Sequence, residues 1–159
     1  METIPFLTQE DAALLDNLLL DYLQKSGASL AVVVDKGGAI IAQHGDAGSI
    51  NIAIVAALAA GAFAATKELA QQIGETEFSA LYHQGERQHI LMSALDEHSM
   101  IITVFGECTT VSLVRFYTVN AIARLALQLK KMRQDKVAGA CFPPSPSATA
   151  ISAPPVPNA

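Results

Sequence analysis

The segment from Ile50 to Gly74 constrains this chain most, because it forms one long apolar stretch of helical character in which alanine recurs along most of its length. At 100° per residue, one side would pack against a core and carries Val55, Leu58, Ala62, Leu69 and Ile73. The opposite side carries small and then polar residues, namely Ala53, Ala57, Ala60, Ala64, Lys67, Glu68 and Gln71. Small apolar side chains facing away from a core let another backbone approach closely. We therefore expect this helix to form a protein contact surface.

The alanines of this segment also fit two structural roles that involve no partner. Alanine is the strongest helix former, and a helix buried on every side is apolar all round. A membrane span is not expected, because the apolar run Ile50–Thr66 is near the shortest spanning length and Lys67 and Glu68 follow it at once.

The composition narrows the class of protein. The 159 residues suffice for one domain with a real core. A net charge of −5 and a pI near 5.2 argue against broad binding of nucleic acid, which needs basic surface. Cys108 and Cys141 form neither a disulfide framework nor a C-x-x-C metal pair, and the N-terminus lacks the pattern of a secretory signal. We therefore expect a cytoplasmic protein with reduced thiols.

The first half of the chain predicts a helix, a hairpin and a second helix. Thr8 with Asp11 resembles a helix cap, and Gly27 can end the helix that follows. Valine-rich residues 28–35 and residues 39–44 read as two strands joined by a tight turn at Lys36-Gly37-Gly38. The alanine-rich helix comes next.

The second half predicts three strands and a last helix. The strands are Glu77–Gln84, Arg87–Leu95 and Ser99–Phe105. Thr109 or Thr110 then caps a helix whose apolar stripe is Val114, Tyr117, Ala121, Leu125, Leu129 and Met132. The predicted fold is α+β, a single five-stranded antiparallel sheet in the order αββαβββα, with the terminal helices on one face and the alanine-rich helix on the other.

The composition changes near Val137. Residues 1–136 are predicted to form the domain, and residues 137–159 a disordered tail rich in Pro, Ala and Ser, since six of the seven prolines lie there. The spacing Pro143-x-x-Pro146 is compatible with polyproline recognition, but it also arises by chance in such a tail.

The element order and several stretches together resemble the Roadblock-type dynein light chain family, of the longin/profilin-like fold, and in particular its bacterial MglB-type regulators of small Ras-like GTPases. The resemblance extends from about Leu14 to Lys131. It is carried by Gly27–Asp35 with the glycines after it, by LAAGAFAATKELAQQIGE, by Phe78 with His83-Gln84-Gly85-Glu86-Arg87, and by VFGECTTVSLVRFY.

This resemblance implies a homodimer in which two sheets join edge to edge through strand 77–84 while the two helices 50–73 lie side by side. The implied dimer interface comprises Phe63, Phe78, Ala80, Leu81, Tyr82 and His83. It also implies a GTPase docked on the central helices, and on this chain the corresponding residues are Ala57, Ala60, Ala64, Lys67, Glu68 and Gln71.

The sequence offers no catalytic constellation of its own. It contains neither a phosphate-binding G-x-x-x-x-G-K-[ST] motif nor G-x-G-x-x-G, so no nucleotide or other cofactor is expected. His83 and His89 lie on opposite arms of one predicted hairpin and could in principle approach a common ion, but nothing completes a metal site. Cys108 lies at a helix start, without a base beside it in sequence.

Two functions follow. The first is a homodimeric regulator of a small Ras-like GTPase, which accelerates GTP hydrolysis by holding the GTPase's own loops in a productive geometry. The alternative is a dimeric scaffold or adaptor without effect on nucleotide hydrolysis. The alanine-rich helix contains no arginine that would act as a finger in trans.

Overall fold

A computed structural model describes residues 7–139, which form three helices and five strands in the predicted order αββαβββα. The helices are α1 (Gln9–Ser26), α2 (Ile52–Gln72) and α3 (Val111–Gly139). The strands are β1 (Leu30–Asp35), β2 (Ile40–Gly45), β3 (Ala80–Gln84), β4 (His89–Ala94) and β5 (Ser99–Phe105).

The strands form one antiparallel sheet in the spatial order β2-β1-β5-β4-β3. The last strand, β5, thus pairs with the first hairpin through β1, while β3 pairs only with β4 among the described elements. This arrangement confirms the predicted fold and leaves β3 at one edge of the sheet.

Alternating side chains give the sheet two apolar faces. On one face, buried residues of β1, β4 and β5 pack with α1 and α3, including Val33, Leu91 and Phe105. On the other face, Val32, Met92 and Ile102 pack under α2. The terminal helices therefore share one face and α2 covers the other, as predicted.

Local signals in the sequence fix the helix ends. Thr8 and Asp11 form a reciprocal capping box at the start of α1, and Gly27 ends that helix with φ of 73°. At α3, Thr110 Oγ1 accepts a hydrogen bond from Leu113 N–H at 3.3 Å. The predicted stripe of α3 is buried except for Tyr117, which is only partly covered, while its neighbour Thr118 is buried.

Polar contacts tie the α1/α3 face together. The buried Tyr22 hydroxyl lies 3.0 Å from Thr103 Oγ1 of β5 and 2.8 Å from Thr118 Oγ1 of α3. Burial raises the pKa of Tyr22, against the opposing effect of these two hydrogen bonds. Near the surface, Arg124 of α3 reaches Asp21 of α1 at 2.6 Å.

A second polar contact joins α3 to the β4–β5 turn. Asp96 Oδ2 lies 2.6 Å from Arg133, and its Oδ1 accepts hydrogen bonds of 2.8 Å from His98 N–H and from the Ser99 hydroxyl. Burial raises the pKa of Asp96, but the hydrogen bonds from His98, Arg133 and Ser99 outweigh it and hold the pKa below its usual value of 3.8.

The helix α3 extends further than the sequence predicted. It continues through Gly139, so residues 137–139 of the predicted tail are helical. The remainder of that tail, with its prolines and Cys141, lies outside the described residues.

Candidate protein-interaction surface

The position of α2 on the sheet is set by a cap and by a close backbone approach. The Asn51 side chain accepts a hydrogen bond from Ile54 N–H at 3.2 Å and begins the helix. In the β1–β2 turn, Gly38 has φ of 91°, and a Cβ there would lie 3.0 Å from the Cα of Ala57. Glycine therefore allows the turn to lie directly against α2.

The side of α2 that was predicted to face the core is the wrong one. Leu58, Leu69 and Ile73 are 69%, 58% and 66% exposed, and Ile54, not singled out from the sequence, is 56% exposed. The buried residues of the helix are Ala56, Ala59, Ala60, Phe63 and Ala70. Four alanines and Phe63 thus face the sheet, while most of the bulky aliphatic residues predicted to be buried face outward.

The reason lies in the packing distance. Small side chains let a helix lie close to a sheet, and Phe63 then fills the space beneath the helix. A helix that is apolar all round gives no periodic signal to decide which side is buried. The prediction therefore assigned the side with the largest residues to the core. The outward surface of α2 is consequently more apolar than predicted.

The six predicted GTPase-binding residues differ in their exposure. Ala57, Ala64, Lys67, Glu68 and Gln71 are exposed. Ala60 is only 5% exposed and packs toward the sheet, so the expectation that it lies on the outward side of α2 is wrong, while its part in GTPase binding is untested. A GTPase-binding role for the other five stays a prediction.

The edge strand β3 presents unpaired backbone groups. Ala94 N–H donates a hydrogen bond to the carbonyl of Ser79, so these two residues form a hydrogen-bonded pair. From there along β3 and β4, facing pairs alternate between those that exchange backbone hydrogen bonds and those that do not. By that alternation the backbone groups of Ala80, Tyr82 and Gln84 point away from β4. An edge of this kind is a template for pairing with another strand.

The residues implied in a dimer interface mostly lie at this edge. Ala80 and His83 are exposed, and Phe78, Leu81 and Tyr82 are partly exposed. Phe63 differs, because it is 6% exposed and belongs to the core under α2. Its side chain is therefore nearly covered in the single chain, and its implied part in the dimer interface stays a prediction.

A cavity of about 280 Å³ opens beside α2, at the end of the sheet where β5 begins. Phe63, Phe78 and Met100 supply large apolar lining side chains. Four of the six predicted GTPase-binding residues also line it, namely Ala60, Ala64, Lys67 and Glu68. Sequence reasoning missed this cavity, because Phe78 and Met100 come from other elements.

The side chains considered for metal or nucleophilic chemistry do not converge. His83 pairs with Ile90 and His89 with Gln84, so the two histidines lie on opposite faces of the sheet and cannot share an ion. Within residues 7–139 no group of three or more His, Cys, Asp or Glu side chains is placed to hold a metal ion. Cys108 is exposed.

The helix α2 is long and apolar enough to cross a membrane by length and composition, with 22% of its most apolar window buried. Lone helices of this kind are weak evidence for a span, since core helices pass the same test.

Comparison with known proteins identifies the family. The Roadblock/LC7 domain model matches residues 14–105, whereas no curated protein sequence matches the chain.

Among solved structures, an MglB with a tetrameric arrangement is 26% identical with a TM-score of 0.76, over 82% of this chain and 99% of that one. The gliding protein MglB of Thermus thermophilus is 27% identical with a TM-score of 0.75, over 81% and 99%. MglB of Myxococcus xanthus is 25% identical with a TM-score of 0.74, over 81% and 96%. With its domain model matched over more than half of its length, the chain belongs to the Roadblock/LC7 family.

Proposed function

We propose that this chain is a homodimeric, MglB-like regulator that binds a small Ras-like GTPase in the bacterial cytoplasm and accelerates its GTP hydrolysis. The observation that carries the proposal is the outward surface of α2, where Ile54, Leu58, Leu69 and Ile73 are each more than half exposed. Large apolar side chains exposed along one side of a helix are typical of a protein interface. The similarity to MglB structures over four fifths of the chain supports the same class of protein.

The dimer in this proposal forms through β3. Pairing of β3 with its copy across a two-fold axis would satisfy the outward backbone groups of Ala80, Tyr82 and Gln84 in both chains. A two-fold axis perpendicular to the sheet keeps both α2 helices on the same face. The two apolar surfaces of α2 then add to one larger docking surface.

The chemistry in this proposal belongs to the GTPase. The GTPase supplies the phosphate-binding loop, the Mg²⁺ and the catalytic side chains, and α2 contributes no arginine. The regulator acts by holding the GTPase's mobile loops in a productive geometry, which is a positioning effect.

The experiment uses the Ras-like GTPase encoded nearest to this chain, loaded with GTP. We expect the wild-type chain to bind it and to raise its rate of hydrolysis. The change Ala64→Arg should abolish binding because it places a long cation on the exposed surface of α2, and it should leave the dimer intact. The matched control is Ala123→Arg, an exposed alanine of α3 on the opposite face of the sheet.

Binding without faster hydrolysis would favour the scaffold over the activator. Wild-type affinity in the Ala64→Arg variant would show that the GTPase docks elsewhere. A chain that stays monomeric at high concentration and binds no GTPase would contradict the whole proposal.

A further inference from the structure

The cavity beside α2 combines an apolar lining with a charged rim. Phe63 comes from α2, Met100 from the start of β5 and Phe78 from the segment before β3. Met100 is fully buried and Phe63 nearly so, while Phe78 is partly exposed. Three large side chains from three separate segments therefore leave a space that none of them fills.

The size of the cavity matches a ring or a branched aliphatic group. A cavity of about 150 Å³ with an apolar lining is enough to hold benzene, and this one measures about 280 Å³. A bulky apolar side chain that enters it would exchange water mainly for contact with the partly exposed Phe78 and the exposed Ala64, above the nearly covered Phe63 and Met100. This exchange is favourable at about 25 cal/mol per Å² of apolar surface buried.

The charges at the rim favour an uncharged occupant. Lys36 and Lys67 line the opening together with Glu68 and Glu77, so the formal charges sum to zero. Lys36 Nζ also lies 3.9 Å from a carboxylate oxygen of Glu77. Such a rim offers no net attraction to an anion or a cation, but it can form peripheral contacts around a central apolar anchor, as at many protein interfaces.

We propose that this cavity receives one bulky uncharged side chain, aromatic or branched aliphatic, from the GTPase. The inference rests on the proposed function and deepens it, because the cavity opens among the predicted docking residues Ala64, Lys67 and Glu68. The anchor enters between α2 and the segment before β3, and the exposed alanines of α2 let the backbone that carries it come close.

The first experiment measures the cavity without the GTPase. Indole is titrated into the full chain carrying ¹³C-methyl methionine. We expect the Met100 methyl signal to shift in a saturable manner, because Met100 lines the cavity. The Met132 methyl signal should stay in place, since Met132 lies in the core of the α1/α3 face.

The second experiment fills the cavity from inside. Ala60 lines the cavity but is only 5% exposed, so Ala60→Leu adds volume there while the outer surface of α2 changes little. We expect this variant to lose the indole-dependent shift and to bind the GTPase at least tenfold more weakly. Ala123→Leu is the matched control, an exposed alanine of α3 on the opposite face of the sheet that does not line the cavity, and it should change neither result.

If Ala60→Leu disturbs folding, Ala64→Leu adds the same group at the opening and is measured in its place. A folded variant with a filled cavity and wild-type affinity for the GTPase overturns the inference but leaves the proposed function standing. A Met100 signal that does not move at saturating indole also overturns it. Failure of the wild-type chain to bind the GTPase is the separate result that removes the proposed function.

Discussion

The two faces of the sheet are covered in different ways. On one face, α1 and α3 pack side by side, and hydrogen bonds or ion pairs from Tyr22, Asp21 and Asp96 join neighbouring elements. On the other face α2 lies alone, and in the described part of the chain no side-chain hydrogen bond or ion pair links it to another element. The residues at its outer surface include large aliphatic side chains, whereas those beneath it are mostly alanines.

The two faces are therefore expected to contribute differently, the α1/α3 face to the stability of the fold and the outer surface of α2 to partner binding. The α1/α3 face combines large buried side chains with polar contacts, which is where most of the folding free energy is expected. On the other face, the outward side of α2 keeps Leu58, Leu69 and Ile73 exposed, where they contribute to stability only after a partner covers them. Mutations on the two faces should therefore differ in their effects on folding and on binding.

The largest effect is expected from Leu125→Ala in α3. Leu125 is fully buried, so its truncation leaves a cavity and should lower the free energy of unfolding by about 2–5 kcal/mol. Urea denaturation followed by circular dichroism measures this loss. A change below about 1 kcal/mol would mean that the α1/α3 face is loosely packed around this leucine.

The next largest effect concerns the dimer. Ala80→Pro removes an N–H group that points away from β4, and the two-fold axis doubles the loss, so we expect about 2 kcal/mol weaker association, or roughly a thirtyfold higher Kd. Sedimentation equilibrium measures the change, with Ala80→Val as the control that keeps the N–H. Equal dissociation constants for the two variants would place the dimer contact away from β3.

A smaller effect is expected from Asp96→Asn. The pKa of Asp96 is lower in the folded chain, so its carboxylate stabilises the fold above the usual pKa of 3.8, and this contribution is lost as the pH falls through the folded value. The loss at pH 7 should be about 1 kcal/mol, the usual net contribution of a hydrogen bond. The difference in stability between the variant and the wild type should shrink as the pH is lowered below 3.8. A constant difference from pH 7 to pH 2 would contradict the role of the charge.

The smallest effect on folding is expected from Leu58→Ala in α2. Because Leu58 is 69% exposed, its truncation should change the free energy of unfolding of the isolated chain by less than about 0.5 kcal/mol. The same change should weaken GTPase binding measurably, which Leu125→Ala in a folded sample should not. A large loss of stability would show that the outer surface of α2 is already covered by the chain's own dimer.

The sequence was sufficient to predict the fold because its local signals are strong. The capping box at Thr8, the glycine turn after β1 and the alternating strands indicated the element order, and the short hairpins indicated three of the four strand pairs. The fourth pair, β1 with β5, joins distant parts of the chain. Turn chemistry and periodicity act over a few residues, so they can be read without the tertiary structure.

The candidate surface was predicted only in part. The choice of α2 as the contact element stands as a proposal, but the buried side of the helix was misjudged, since alanines can lie on either side of an apolar helix. The cavity depends on Phe78 and Met100 from distant parts of the chain meeting Phe63, and no sequence period carries that information.

The buried hydroxyl of Tyr22 has a practical consequence for spectroscopy. The chain contains three tyrosines and no tryptophan, and Tyr22 contacts α3 and β5 at once. Because burial raises its pKa, tyrosinate absorbance from Tyr22 should appear only after these elements separate. An alkaline titration followed in the ultraviolet therefore contains an intrinsic optical signal for the opening of one face of the sheet, without any added label.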